Sequence, residues 1–296
     1  MKLNPRPLFL AVALAVGSLA ATSTMAVPVI YENSAGSDMG SFDKATGAQV
    51  STLTQSQGNG RGIVVVNNIV YYTVANSGSV FKRDAITNAD LGVAFTIAGT
   101  NGLQAISFDG TNFWVGDYSG TTRAYLVSPA GVLLNTITLA GGVTGIEGFY
   151  DGLEFFDGKL IANRYDGGFA RAGGNQYSIY DLSGNLITAN FIDTNGHGNG
   201  TGIAFDGTNF YVSDIFNNRF TIWDGITGAF VGALTLAGSH FSVEDLSVDF
   251  AGRPDTCGHP GQPPCNNAPE PGSVSLVALA MGLLGLRARS RRKQGK

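Results

Sequence analysis

Along most of the chain, apolar residues recur at every second position in short runs, separated by breaks rich in glycine, aspartate and asparagine. In Gly202–Asp214, Ile203 and Phe205 alternate with small residues, and Phe210 and Val212 do so after Asp206-Gly207. A period of two predicts strands with one buried face. Asp-Gly between the runs supplies residues that tolerate positive φ in a tight hairpin. A second hairpin is expected from Phe220–Trp223, a turn over 224–228, and Ala229–Leu236.

The pattern repeats. Moved back by 97 positions, Asn199–Gly238 lands on Gly102–Gly141 with 14 of 40 pairs identical, including Phe-Asp-Gly-Thr-Asn-Phe at 108–113 and 205–210. Phe156–Ile161 is a copy halfway between, and Val66–Tyr71 a degenerate earlier one. The turn positions Asn67, Asp109, Asp157, Asp206 and Asp249 stand 42, 48, 49 and 43 residues apart. A period in the forties built from short β segments marks propeller blades.

The ends complete the count. Phe42–Thr54 matches Trp223–Thr235 at seven of 13 positions, so the chain enters partway through a blade. Ser242–Phe250 reads as a first strand with no hairpin after it. The expectation is an all-β propeller of five four-stranded blades. Its last strand, near 243–250, lies beside the strand at 28–33 and closes the ring, which removes exposed sheet edges. The stretch Gly202–Asp224 (GIAFDGTNFYVSDIFNNRFTIWD) resembles the NHL repeat, and Ile106–Asp117 matches it over the first half. That resemblance implies the same propeller body.

Composition agrees with a globular body. The 296 residues are 44% hydrophobic, enough for one sizeable core, and the 42 glycines follow no Gly-X-Y period. Residues 1–26 read as a secretory signal. Lys2 and Arg6 open it, Leu8–Ala21 is its apolar centre, and Thr24-Met25-Ala26 is a small-residue cleavage site. The propeller is assigned to 27–252 and a proline- and glycine-rich linker to 253–268. The linker holds Cys257 and Cys265. In an exported chain such a pair points to a disulfide closing a short loop. Free thiols are one alternative, and a metal site with His259 is another that lacks a fourth ligand.

The segment 269–296 begins with Pro269-Glu270-Pro271, continues with apolar Ser273–Leu286, and ends with Arg287, Arg289, Arg291, Arg292, Lys293 and Lys296. On physical grounds it is a short transmembrane segment with a cytoplasmic basic stop. Its three parts, in this order, resemble the PEP-CTERM sorting signal of Gram-negative bacteria. The resemblance implies Sec export, a transient inner-membrane anchor, and an exosortase that cuts near the motif. The protein is then released towards the cell surface or an extracellular polysaccharide matrix.

Charge separates the tails from the body. Outside the two tails, 1–26 and 269–296, the chain has 10 basic and 21 acidic residues, a net charge of −11. Such a body repels phosphate backbones, which argues against nucleic-acid binding.

Catalytic signatures are sparse. The histidines are His197, His240 and His259, and no HExxH, GxSxG, P-loop or dinucleotide fingerprint occurs. The starts of the innermost strands face the propeller axis, which nominates Arg61, Gln104, Glu147 or Glu154, Thr201, and Glu244 with Asp245. Asp117 and Asp214 stand at matching ends of second strands, where turn capping explains them as well as function does. Two functional classes follow. The first is a non-catalytic, cofactor-free propeller that binds an exopolysaccharide or another surface protein. Its contacts would come from the glycine-rich insertion at 164–176, through Arg164, Tyr165 and Arg171. The second is a hydrolase resembling the gluconolactonase-type propellers, with Glu147, Glu154, Asp214 and Glu244 around a divalent cation such as calcium.

Overall fold

The computed structural model describes residues 29–36, 38–118, 123–140, 151–164, 175–238 and 242–248. Among these there are twenty strands in five four-stranded antiparallel sheets, and no helix. Blade 1 is formed by β1 (Val29–Ser34), β2 (Asp38–Asp43) and β3 (Gln49–Thr54), with β20 (Val243–Val248) innermost. Blade 2 comprises β4 (Gly60–Val66), β5 (Ile69–Val74), β6 (Ser79–Asp84) and β7 (Asp90–Thr96). Blade 3 comprises β8 (Leu103–Phe108), β9 (Phe113–Asp117), β10 (Arg123–Val127) and β11 (Leu133–Thr138). Blade 4 comprises β12 (Leu153–Phe156), β13 (Lys159–Arg164), β14 (Gln176–Tyr180) and β15 (Leu186–Asp193). Blade 5 comprises β16 (Gly200–Phe205), β17 (Asn209–Asp214), β18 (Arg219–Asp224) and β19 (Phe230–Thr235). The chain is a five-bladed β-propeller. The ring closes as expected, with Ile30 opposite Val248 and Tyr31 opposite Ser247.

The repeated turn residues act in two ways. In blades 2 and 4 the first hairpin has a two-residue turn with both residues at positive φ, Asn67-Asn68 at 52° and 62° and Asp157-Gly158 at 46° and 70°. These are the turns whose twist suits paired strands. In blades 3 and 5 the turn is longer, and here the expectation changes. Only Gly110 and Gly207 take positive φ. Asp206 instead caps the turn, its Oδ1 accepting from the backbone N–H of Thr208 at 2.9 Å and Asn209 at 2.8 Å, as Asp109 does for Thr111 and Asn112.

Burial also departs from the sequence pattern. Strands with one buried face were expected, yet β8, β9 and β20 are buried at every position. Nor is there one core. Five apolar clusters each lie between two consecutive blades; one joins Ile30, Phe42 and Leu246 of blade 1 to Ala204, Tyr211 and Phe220 of blade 5. Every blade is sandwiched between two others, so both its faces leave water. Inner strands are buried almost throughout, their few polar side chains included, while outer strands keep exposed positions.

Near the axis, the blades are joined by a belt of polar side chains at the penultimate position of each second strand: Asn33, Thr73, Asn163 and Ser213, with Gly116 in blade 3. At this level the inner-strand ladders shift register, between Gly60 and Ile63, Leu103 and Ile106, and Gly200 and Ile203. Backbone groups freed there must find other partners. Asn163 Oδ1 accepts from Asp151 N at 2.8 Å and Gly152 N at 2.9 Å, and its Nδ2 donates to Thr201 O of the next blade at 3.2 Å. Asn33 Nδ2 donates to Gly62 O of its neighbour at 2.9 Å. Thr73 Oγ1 accepts from Gly62 N at 2.7 Å and donates across to Gln104 O. Asn163→Ala removes the acceptor of two buried N–H groups, while Thr201 O keeps its bond from Tyr177 Oη, so a loss of about 2–3 kcal/mol is expected in urea unfolding. A loss below about 0.5 kcal/mol, the scale of a surface change, would show that the belt is not what joins the blades.

Candidate functional site at the channel mouth

The five inner strands run side by side, and their starting ends gather on one face, the loop face. The strands flanking 119–122 and 165–174 also end on this face, and β12 and β20 begin there after 141–150 and 239–241. Four polar side chains from three blades and the closing strand meet at the axis: Arg61, Gln104, Asp151 and Glu244. Arg61 Nη1 pairs with Glu244 Oε1, which also accepts from Ser242 Oγ at 3.2 Å. Gln104 Nε2 donates to Asp151 Oδ1 at 2.9 Å.

Burial dominates the electrostatics. It lifts the Asp151 carboxyl to about 7, with the Glu244 charge adding to the rise while Arg61 and Gln104 oppose it. Glu244 is raised for the same first reason and held down by its Arg61 partner. Around neutral pH, Asp151 can therefore both give and take a proton, a property shared with general acids and bases.

Deeper in the channel the acids serve as joints. Asp245 is buried, with Oδ2 accepting from Ile63 N at 3.0 Å and Oδ1 from Ile203 N at 3.2 Å, so one carboxylate bridges the inner strands on both sides. Desolvation pushes its pKa well up, and the nearby Glu154 charge adds to this. Glu154 Oε1 faces Phe205 N at 3.4 Å. Thr201 Oγ1 sits 2.7 Å from Ser213 Oγ and 3.2 Å from Val243 O, an inter-blade contact.

The strand-end aspartates are also occupied. Asp117 Oδ2 accepts from Tyr125 Oη at 2.7 Å. Asp214 holds the turn after β17, accepting from Arg219 Nε at 2.9 Å, from the Asn217 amide at 2.8 Å, and from Asn199 N at 3.2 Å. Among the described residues no group of three or more His, Cys, Asp or Glu side chains is placed to hold a metal ion. Glu147 lies outside the described residues, as do Tyr165, Arg171, the Arg164 side chain, Cys257, Cys265 and Pro269-Glu270-Pro271. The expected membrane segment falls outside them too; among those described, no helix is long and apolar enough to cross a membrane.

Sequence reasoning nominated Arg61, Gln104 and Glu244, and the fold brings them together. It missed Asp151, which precedes β12 and is the counterpart of Arg61 and Thr201, each standing just before an axial glycine; counting six residues back from the turn, as from Asn67 to Arg61, leads from Asp157 to Asp151 and could have found it.

Comparison with known proteins adds a sorting motif and a likeness in fold. Residues 267–293 match the PEP-CTERM protein-sorting motif. A solved nidogen/laminin complex is similar in fold, with a TM-score of 0.50 and 11% identity, over 75% of this chain and 97% of that one. A glutaminyl cyclase from Myxococcus xanthus aligns at a TM-score of 0.44 and 14% identity, over 60% of this chain and 71% of that one. Curated protein sequences gave no match. The motif implies processing by an exosortase and export towards the cell surface through a membrane-anchored intermediate. The chain is thus a five-bladed β-propeller carrying a PEP-CTERM sorting motif behind the strand that closes its ring.

Proposed function

We propose that this protein is a non-catalytic surface propeller, released after exosortase processing, that binds a protein or polysaccharide partner through its loop face. The observation that carries this reading is the use of the axial acids. Asp245 is taken up in backbone bonds between blades, and Glu244 in its pair with Arg61. β13 ends and β14 begins on the loop face beside the channel mouth, and Arg164, Tyr165 and Arg171 of the 164–176 insertion are the proposed anchors.

The hydrolase reading has one observation in its favour, the Asp151 carboxyl poised near neutrality at the mouth. A panel of lactones and aryl esters, with and without Ca²⁺, Mn²⁺ or Zn²⁺, separates the two. The binding reading expects no turnover above buffer. Turnover abolished by Glu244→Gln or Asp151→Asn, with the fold intact, would replace it with the hydrolase. Processing is checked separately, by mass spectrometry of surface material. The mature chain is expected to begin near Val27 and to lack Arg287–Lys296; recovery of the intact basic tail would count against exosortase release.

A further inference from the structure

On the face opposite the channel mouth, the turn face, a cleft of about 510 Å³ opens between blades 4 and 5. Its walls are aromatic and aliphatic, built from Phe156, Ile179, Phe191 and Phe205. The Phe156 and Phe205 rings meet edge to face, 5.7 Å between centroids. Two isoleucines form its outer lips, Ile187 at 50% and Ile226 at 87% exposure. An isoleucine so bare on a soluble surface marks a contact more often than a lone apolar residue does when it edges a cleft of this size.

The rim carries charge. Lys159 Nζ pairs with Asp157 Oδ2 at 2.8 Å, which leaves Asp224 as the unbalanced anion. Asp224 Oδ1 accepts from Thr227 N at 2.7 Å and Ile226 N at 3.0 Å, and these bonds hold its carboxyl below the usual range and so ionised. The cleft therefore suits an occupant with flat apolar faces and one positive charge.

The chain itself supplies such a segment at this place. Thr201 Oγ1 reaches Val243 O, and Ile203 N reaches Asp245 Oδ1, so β16 and β20 lie side by side and run the same way. Val248, where β20 ends, is consequently level with Phe205 and Asp206, with β16 alone between it and the inner end of the cleft. From there, residues 249–266 lead to the sorting motif at 267 and include Arg253, Pro254, Pro260, Pro263 and Pro264. Residues 249–256 precede the Cys257–Cys265 pair, and in polyproline II form, at about 3.1 Å per residue, these eight residues reach about 25 Å, ample to cross a four-stranded blade from axis to rim.

We propose that the cleft is the docking site of this chain's own proline-rich segment, 250–264, with proline rings against the phenylalanine walls and Arg253 on Asp224. Aromatic-lined grooves take proline-rich chains because the extended form costs little entropy to hold. The tether makes the event intramolecular, at a millimolar effective concentration. Docking would start the sorting motif from the rim of the turn face and hold the loop face away from the membrane. It does not depend on the loop-face binding reading.

The test is photo-cross-linking in the full chain in detergent micelles, with p-benzoylphenylalanine replacing Ile226. The control places it at Ile86, 75% exposed in the equivalent turn of blade 2. The expected adducts from position 226 fall within 250–264, and position 86 yields none there. Arg253→Glu, five residues beyond the end of β20, should cut the 226 adduct about tenfold, as loss of one charge-assisted contact would. Equal linker adducts from both positions, adducts only to another molecule, no adduct, or a yield indifferent to Arg253→Glu would each overturn the proposal.

Discussion

Replacing Gly202 by alanine is expected to lower the stability of the propeller by about 3 kcal/mol, a fall of roughly 6–12 °C in Tm for a body of this size. Gly202 lies on β16 where the inner strands crowd the axis, and a Cβ there would fall on the Asp245 Cα and carboxylate and near the Glu244 carbonyl. These are mostly backbone atoms in the closing strand, so no rotamer change relieves the overlap. Five blades around one axis leave less room than a larger ring. Where inner strands meet at this level the chain has no Cβ to spare, and Gly62 and Gly152 meet the same limit against Gln104 O and Thr201 O. The strain pushes β20 outward, so the variant should also expose the closing strand. Thermal unfolding of Gly202→Ala beside Gly232→Ala, whose added Cβ meets open space, checks this. Equal Tm values for the two would refute the crowding argument.

The second large effect is on pH. Asp151 titrates at about 7 in the folded chain against an ordinary 3.8, because burial penalises its charged form. The native state then binds more protons than the unfolded state between these values, and stability falls as pH rises through that window. The contribution is fully present below about pH 4 and gone above about pH 7. Three pK units correspond to about 4 kcal/mol. Asp245 and Glu244, both raised mainly by burial, act in the same direction. The exposed turn aspartates are lowered, Asp84 and Asp224 first by backbone hydrogen bonds and Asp181 first by the Asn185 side chain, and act the opposite way, only as pH drops below their ordinary range. Urea unfolding from pH 4 to 8 should therefore show a decline that Asp151→Asn flattens, with the variant more stable at pH 8 by about 2–4 kcal/mol. An identical decline in variant and parent would mean that Asp151 is already ionised in the folded state.

Both effects arise at the axis, and this is where sequence and structure part. The alternation of Ile203, Phe205, Phe210 and Val212, the Asp-Gly breaks and the 97-residue echo were enough to derive the five blades and the closure of β20 on β1. These features are local or periodic, and each unit states its own strands and turns. The triplet of proline, apolar run and arginine cluster was equally legible, because a sorting signal is read as a linear segment.

What the sequence could not state is which residues from different blades meet. The pairing of Gln104 with Asp151, and of Arg61 with Glu244, joins positions 47 and 183 apart in the chain. Asp245 looked like a channel acid and is a joint between two strands, and nothing in the sequence singles out the belt of Asn33, Thr73, Asn163 and Ser213. Their roles follow from the register shifts at the axis, which exist only once five twisted sheets are packed in a ring. The amino-acid order by itself determined the repeat, the turns and the sorting signal. The tertiary structure alone decided which acids are buried, and hence which titrate near neutrality, since desolvation depends on what the neighbouring blades exclude.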